Sequence, residues 1–216
     1  MKPDNPIRLK VCGMRDPDNI VEVAALHPDY MGFIFYRNSK RAVPENFQIP
    51  ADFPSRIKRV GVFVNESTSA VLNLVKKFSL DFAQLHGEES PRRCEELRAA
   101  GVGVIKVFGV GKTFDFEMVE PFKHTVNYFL FDTKGAEYGG TGTVFDWRTL
   151  QHYDQEIPFL LSGGLSPENI QEVVTLRGMN LHALDVNSGV EVRPGVKDVG
   201  KIRKLQLLKP HPRPLS

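Results

Sequence analysis

"KVCGMRDPDNI", Lys10 to Ile20, reads as the end of a strand, a tight glycine turn and the start of a helix. The helix start is marked twice, by Asp16 as an N-cap and by Pro17 at the first helical position. The turn between them decides the fold. An open, doubly wound sheet would usually carry a glycine-rich dinucleotide turn after its first strand, and "CGMRDPDN" lacks one. Working outward, the strand–turn–helix unit recurs along the whole chain. Short apolar runs predict strands at Ile7–Cys12, Tyr30–Phe35, Arg59–Val64, Phe82–His86, Gly103–Phe108, Asn127–Asp132, Pro158–Ser162 and Leu181–Val186. Helical patterns fall between them at Pro17–Leu26, Ser67–Phe78, Pro91–Ala100, Phe114–Phe122, Phe145–Tyr153, Pro167–Thr175 and Val199–Leu207. Ser90-Pro91 and Ser166-Pro167 repeat the cap-and-proline signature of Asp16-Pro17. Strands that alternate with helices imply right-handed βαβ units, and eight such strands predict an α/β fold of one closed TIM barrel, (β/α)8. The gap after the second strand, "VPENFQIPADFPS", is proline-rich and predicts a short or distorted helix.

The chain's 216 residues suit a single barrel, expected over residues 1–208 with a proline-rich tail at 209–216. Apolar residues make up 41% and charged residues 25%, enough to build a packed core. A formal net charge of +2 leaves no nucleic-acid footprint. No apolar run is long enough to span a bilayer, and the start "MKPDNPIRLK" has no apolar signal region. Two cysteines supply neither a disulfide framework nor a metal quartet, so a reducing, cytoplasmic setting is expected. The composition leaves oligomeric state open.

Side chains alternate along a strand, so residues two apart share a face. On the first strand Ile7, Leu9 and Val11 should face the helices, which turns Lys10 and Cys12 into the barrel. Taken alone, a buried cysteine is usually a small hydrophobe, as mid-helix Cys94 illustrates. Lys10 is expected to pair with Asp185 on the neighbouring eighth strand. The sixth strand ends on Asp132, which shares inward parity with Tyr128 and Leu130. A thiol and a carboxylate at one barrel mouth form a possible base–acid pair for a 1,2-proton shift. On the fourth strand Gln84 and His86 also face inward and should line the site. After the seventh and eighth strands come "LLSGGLSPEN" and "LDVNSGVEVRPG". The turns built on Gly163, Gly164, Asn187, Ser188 and Gly189 can aim backbone N–H groups at an anion. Barrels acting on phosphorylated sugars often hold the phosphate there. Arg37, Lys40 and Arg41 make a basic loop at the same mouth, suited to a second anion. No His, Cys and Asp spacing converges on a metal site.

The blocks "KVCGM", "GFIFYRNSKR", "RVGVFVNE", "AQLHGEE", "DTKGAEYGGTGTVFDW", "LSGGLSPENI" and "DVNSGVE" together resemble the phosphoribosylanthranilate isomerase family of tryptophan biosynthesis. The resemblance runs from about Leu9 to about Leu205. It implies a (β/α)8 barrel without cofactor or metal, and a small-molecule substrate, N-(5-phosphoribosyl)anthranilate. It implies an Amadori rearrangement with Cys12 as general base, Asp132 as general acid, Arg41 on the anthranilate carboxylate, and the two glycine turns on the phosphate. Many relatives read "DVSSG" where this chain has Asn187, which puts a side-chain contact from Asn187 to phosphate in question. The chemistry requires a proton on Asp132 and a partly ionised thiol at Cys12, at or below the usual ~8.5, with Lys10 placed to lower it. Other phosphosugar barrel enzymes share the phosphate turns, and a silent phosphate-binding scaffold would keep them too. The intact Cys12, Asp132 and Arg41 favour the isomerase.

Overall fold

The computed structural model of the chain describes residues 7–111, 113–133 and 145–209. Eight parallel strands close into a barrel in chain order: β1 Arg8–Val11, β2 Tyr30–Ile34, β3 Lys58–Phe63, β4 Phe82–Leu85, β5 Gly103–Val110, β6 Tyr128–Thr133, β7 Phe159–Leu161 and β8 Leu181–Val186. β8 closes on β1 with Lys10 opposite Asp185. Parity along β1 holds. Leu9 and Val11 join the large apolar cluster between sheet and helices, while Tyr30, Ile105, Leu130 and Leu160 fill the barrel interior.

The described residues hold four α-helices: α1 Pro17–Ala24, α2 Thr68–Phe78, α3 Pro91–Ala99 and α4 Val199–Leu208. Each begins on a side-chain cap. Asp16 accepts from the Asn19 N–H at 3.0 Å, Ser67 from Ala70 at 3.2 Å, Ser90 from Arg93 at 3.4 Å and Asp198 from Lys201 at 3.0 Å.

The other expected helices are 3₁₀ turns, and two of the three departures have a local cause. Phe116–Phe122 carries Pro121, which has no N–H and crowds the preceding turn. Ile170–Leu176 contains four β-branched residues in seven, which weakens helical packing at χ1. Ser166-Pro167 does not cap it; Asn169 stands at its start, and Ser166 closes a turn instead. Trp147–His152 spans only six residues.

After β2 there is no helix at all. Pro44, Pro50 and Pro54 each start a turn closed by the N–H three residues on, at 3.0 to 3.1 Å. Phe47 and Phe53 from these turns pack on Phe33, with ring centroids 5.4 and 6.3 Å apart, and cover the strand as a helix would.

An addition lies beyond β8. Glu191–Arg193 (β9) and Val196–Lys197 (β10) form a small antiparallel hairpin ahead of α4. Of the glycine-dense loop after β6, residues 134–144 lie outside the described set, as do residues 210–216 of the tail. No helix among the described residues is long and apolar enough to cross a membrane.

Candidate active site

Cys12 leaves the end of β1 with 4% of its surface exposed. It needs room. A side chain at Gly32 on β2 would place its Cβ 2.7 Å from the Cys12 sulfur, so glycine there is what admits the thiol. Below Cys12, the Lys10 Nζ donates to Asp185 Oδ1 at 2.8 Å, with both side chains buried. This is the pair that strand parity predicts. Burial disfavours the Lys10 ammonium, but Asp185 and the nearby Cys12 outweigh it and hold the lysine charged.

The thiol behaves differently from expectation. Burial pushes Cys12 up, and the positive charges of Lys10 and Lys197 only partly offset it. Lys10 shares its charge with Asp185, which itself acts to raise the thiol. The net shift of Cys12 is therefore upward, against the lowering that the sequence predicts from Lys10.

Asp132 ends the inward face of β6 and is 9% exposed. Its Oδ1 accepts from the Thr133 N–H at 2.9 Å, and its Oδ2 lies 3.5 Å from His86 Nε2. Gln84, also inward, reaches His86 Nδ1 at 3.5 Å through its amide nitrogen, and its buried Oε1 has no partner among the described residues. Gln84, His86 and Asp132 thus form one polar row across β4 and β6.

The two glycine turns touch. A Cβ on Gly189 would fall 2.1 Å from the Leu165 carbonyl oxygen, so the turn after β8 lies directly on the turn after β7. Among the described residues, the N–H groups of Gly163, Gly164, Ser188 and Gly189 meet no acceptor. Asn169 holds the first turn in shape, donating to the Gly164 carbonyl at 2.8 Å and accepting from the Ser166 N–H at 2.9 Å. Asn187 is committed elsewhere: its Oδ1 accepts from Lys197 Nζ at 2.7 Å.

Arg41, from the loop after β2, grips Glu191, with Nη2 to Oε2 at 2.8 Å. Lys197 donates to the same carboxylate at 2.7 Å. Burial drives Lys197 down to about 8 despite Glu191. Burial also acts to raise Glu191, but Arg41 and Lys197 hold it below the ordinary range. Arg37 and Lys40, the other cations of that loop, are not part of this cluster.

The geometry therefore brings a thiol, a carboxylate, a guanidinium and two N–H-rich turns to one end of the barrel. Among the described residues no three His, Cys, Asp or Glu side chains converge as metal ligands.

Residues 9–206 match the family described as N-(5'phosphoribosyl)anthranilate (PRA) isomerase. This chain belongs to the PRA isomerase family. A family member from Parabacteroides distasonis is 44% identical over 207 residues, covering 94% of each chain. The crystal structure of the PRA isomerase of Thermotoga maritima superposes with a TM-score of 0.83 at 35% identity, covering 94% of this chain and 98% of that one. Another PRA isomerase structure, in complex with reduced 1-(o-carboxyphenylamino)-1-deoxyribulose 5-phosphate, matches at a TM-score of 0.76 and 32% identity, covering 92% of this chain and 96% of the other. Like its PRA isomerase relatives, the chain is an enzyme of tryptophan biosynthesis that isomerises PRA.

Sequence reasoning singled out neither Gly32, Asn169, Glu191 nor Lys197. For the last two a signal exists. "EVRPGVK" alternates apolar and polar residues about a Pro-Gly turn, a hairpin pattern that would place Glu191 and Lys197 side by side.

Proposed function

We propose that the chain converts N-(5-phosphoribosyl)anthranilate to 1-(2-carboxyphenylamino)-1-deoxyribulose 5-phosphate, with Asp132 as general acid and Cys12 as general base. The observation that carries this is the placement of a buried thiol and a carboxylate at the ends of β1 and β6, at the same barrel mouth as a guanidinium and two turns whose N–H groups meet no acceptor among the described residues. Asp132 delivers a proton to the ring oxygen of the aminoribose. The ring C–O bond breaks and C1 becomes a protonated Schiff base. That cation acidifies the C2–H bond. Cys12 takes the C2 proton, the electron pair forms the C1–C2 double bond, and the enolamine tautomerises to the C2 ketone as C1 regains a proton.

Burial raises Cys12, so the base is the minor thiolate form, which has given its S–H proton to solvent before the C2 proton is taken. The charges of Lys10 and Lys197, and then the iminium cation itself, favour that thiolate. Arg41 holds the anthranilate carboxylate. The N–H groups of Gly163, Gly164, Ser188 and Gly189 hold the phosphate, while the Asn187 side-chain oxygen stays with Lys197.

The test follows loss of the anthranilate-adduct fluorescence in Cys12→Ala and Asp132→Asn. Each should lose on the order of 10³-fold in kcat, the range of a general acid or base. Wild-type turnover in either variant removes that residue from the mechanism.

A further inference from the structure

Arg41 is held on one edge. Its Nε donates to Glu191 Oε1 at 2.9 Å and to Oε2 at 3.1 Å, and its Nη2 donates to Oε2 at 2.8 Å. Those two nitrogens form the side-on edge of the guanidinium. The end-on edge, Nη1 with the second hydrogen of Nη2, meets no acceptor among the described residues.

Glu191 is itself fixed from behind. Lys197 Nζ donates to Oε1 at 2.7 Å, and the Gly195 N–H donates to Oε1 at 3.0 Å. Lys197 is anchored in turn by Asn187 Oδ1 at 2.7 Å. Its backbone is clamped by Asn19 of α1, which accepts from the Lys197 N–H at 2.7 Å and donates to its carbonyl at 2.9 Å. The side chains of Arg41, Glu191 and Lys197 are 13%, 6% and 0% exposed. Arg41 and Lys197, together with Asn187, crowd the face of Gly13, immediately after Cys12. A buried chain of contacts thus runs from α1 through the hairpin to the guanidinium.

We propose that Glu191 is a positioning residue for Arg41: by taking the side-on edge, it presents the end-on edge to the substrate carboxylate, with the β9–β10 hairpin as its support. This rests on the assignment of Arg41 to that carboxylate. A planar carboxylate can take two parallel N–H bonds from the end-on edge while Glu191 keeps its own two. The opposite role, in which Glu191 occupies Arg41 as a rival to substrate, predicts the opposite sign.

The experiment measures KM and kcat of Glu191→Gln with PRA and with N-(5-phosphoribosyl)aniline, which lacks the carboxylate, beside Arg41→Met. With PRA, Glu191→Gln should raise KM about tenfold and change kcat less. With the aniline adduct the KM penalty should disappear, which a loosened fold would not produce. A lowered or unchanged KM for PRA in Glu191→Gln, with KM raised in Arg41→Met, overturns the inference and leaves the carboxylate assignment standing. An unchanged KM in Arg41→Met overturns that assignment itself. Should Glu191→Gln not fold, the double variant Glu191→Gln/Lys197→Met removes the buried pair together and is read in the same way.

Discussion

The two ends of this barrel follow the same alternation of side chains to opposite effect. At the strand starts the interior is closed by rings. Tyr30 meets Phe82 edge-on at 5.9 Å, Phe82 meets Tyr128 at 5.8 Å, and Tyr128 lies 4.1 Å from the His182 ring. The polar atoms there are satisfied among themselves, with the Tyr30 hydroxyl 2.7 Å from His182 Nε2 and Arg8 3.2 Å from Nδ1. At the strand ends the interior carries charge, with Lys10 on Asp185 and Arg41 and Lys197 on Glu191, and Asp132 lies 3.5 Å from His86 Nε2. There the satisfaction is incomplete. Among the described residues, Gln84 Oε1 is buried without a partner and the N–H groups of the glycine turns meet no acceptor. A floor that completes its own contacts adds stability. A mouth that leaves donors and acceptors open is organised for a charged molecule to complete it.

The largest effect separating the two ends should come from Lys10→Met. Asp185 would be left as an uncompensated buried charge, which typically costs about 3–5 kcal/mol. Cys12 would lose the nearest charge that supports its thiolate. Stability and kcat should fall together, as read by urea unfolding and by turnover of the remaining folded protein. A Lys10→Met/Asp185→Leu double variant should recover much of the stability and little of the turnover. Recovery of both would mean that the pair serves packing alone, and the contrast between mouth and floor would weaken.

Much of this division is legible in the sequence, and what is not has physical causes. Strand parity turns Lys10, Cys12, Gln84, His86 and Asp132 inward, and the adjacency of β1 and β8 brings Asp185 to Lys10. Parity names neighbours but not the balance of their fields. It does not reveal that burial outweighs Lys10 and raises the Cys12 thiol. The cap-and-proline pairs at Asp16 and Ser90 mark true α-helices, whereas Ser166-Pro167 reads the same and opens a turn, because the β-branched run after it does not sustain a helix. Arg41 and Glu191 are 150 residues apart, and only the closed barrel brings the loop after β2 to the hairpin after β8. The loop after β2 has no helix to announce it, since its aromatic cover comes from Phe47 and Phe53 between prolines.

A truncation in the barrel's apolar interior should show the converse of Lys10→Met. Leu130 is fully buried among Tyr30, Ile105 and Leu160. Leu130→Ala should destabilise by about 3 kcal/mol through lost burial and the cavity it leaves. Turnover per folded molecule at low temperature should change by less than about twofold, since no charged group of the mouth moves. A large loss of kcat with a small loss of stability would show that apolar packing below the site sets the alignment of Asp132, two residues on along β6.

The smallest effect concerns His182, and it separates the ends by pH. Burial, with Arg8 as the second cause, lowers His182 to about 4. The hydrogen bonds show why. Arg8 can only donate, so Nδ1 must accept, and the ring proton sits on Nε2 facing the Tyr30 hydroxyl. A second proton on Nδ1 would face the guanidinium N–H directly. The unfolded chain takes that proton near pH ~6.5, while the folded chain resists it down to about 4. Stability should therefore fall as pH drops through that window, with the loss complete below it. Discounted for the solvent that reaches a partly exposed ring, the loss is on the order of 1 kcal/mol. His182→Gln keeps an acceptor for Arg8 and a donor for Tyr30 but does not titrate. Urea unfolding at pH 7, 5.5 and 4 should give a shallower decline for the variant than for the native chain. Parallel declines would place the acid sensitivity in the carboxylates of the mouth, and the floor would then contribute packing without any pH dependence of its own.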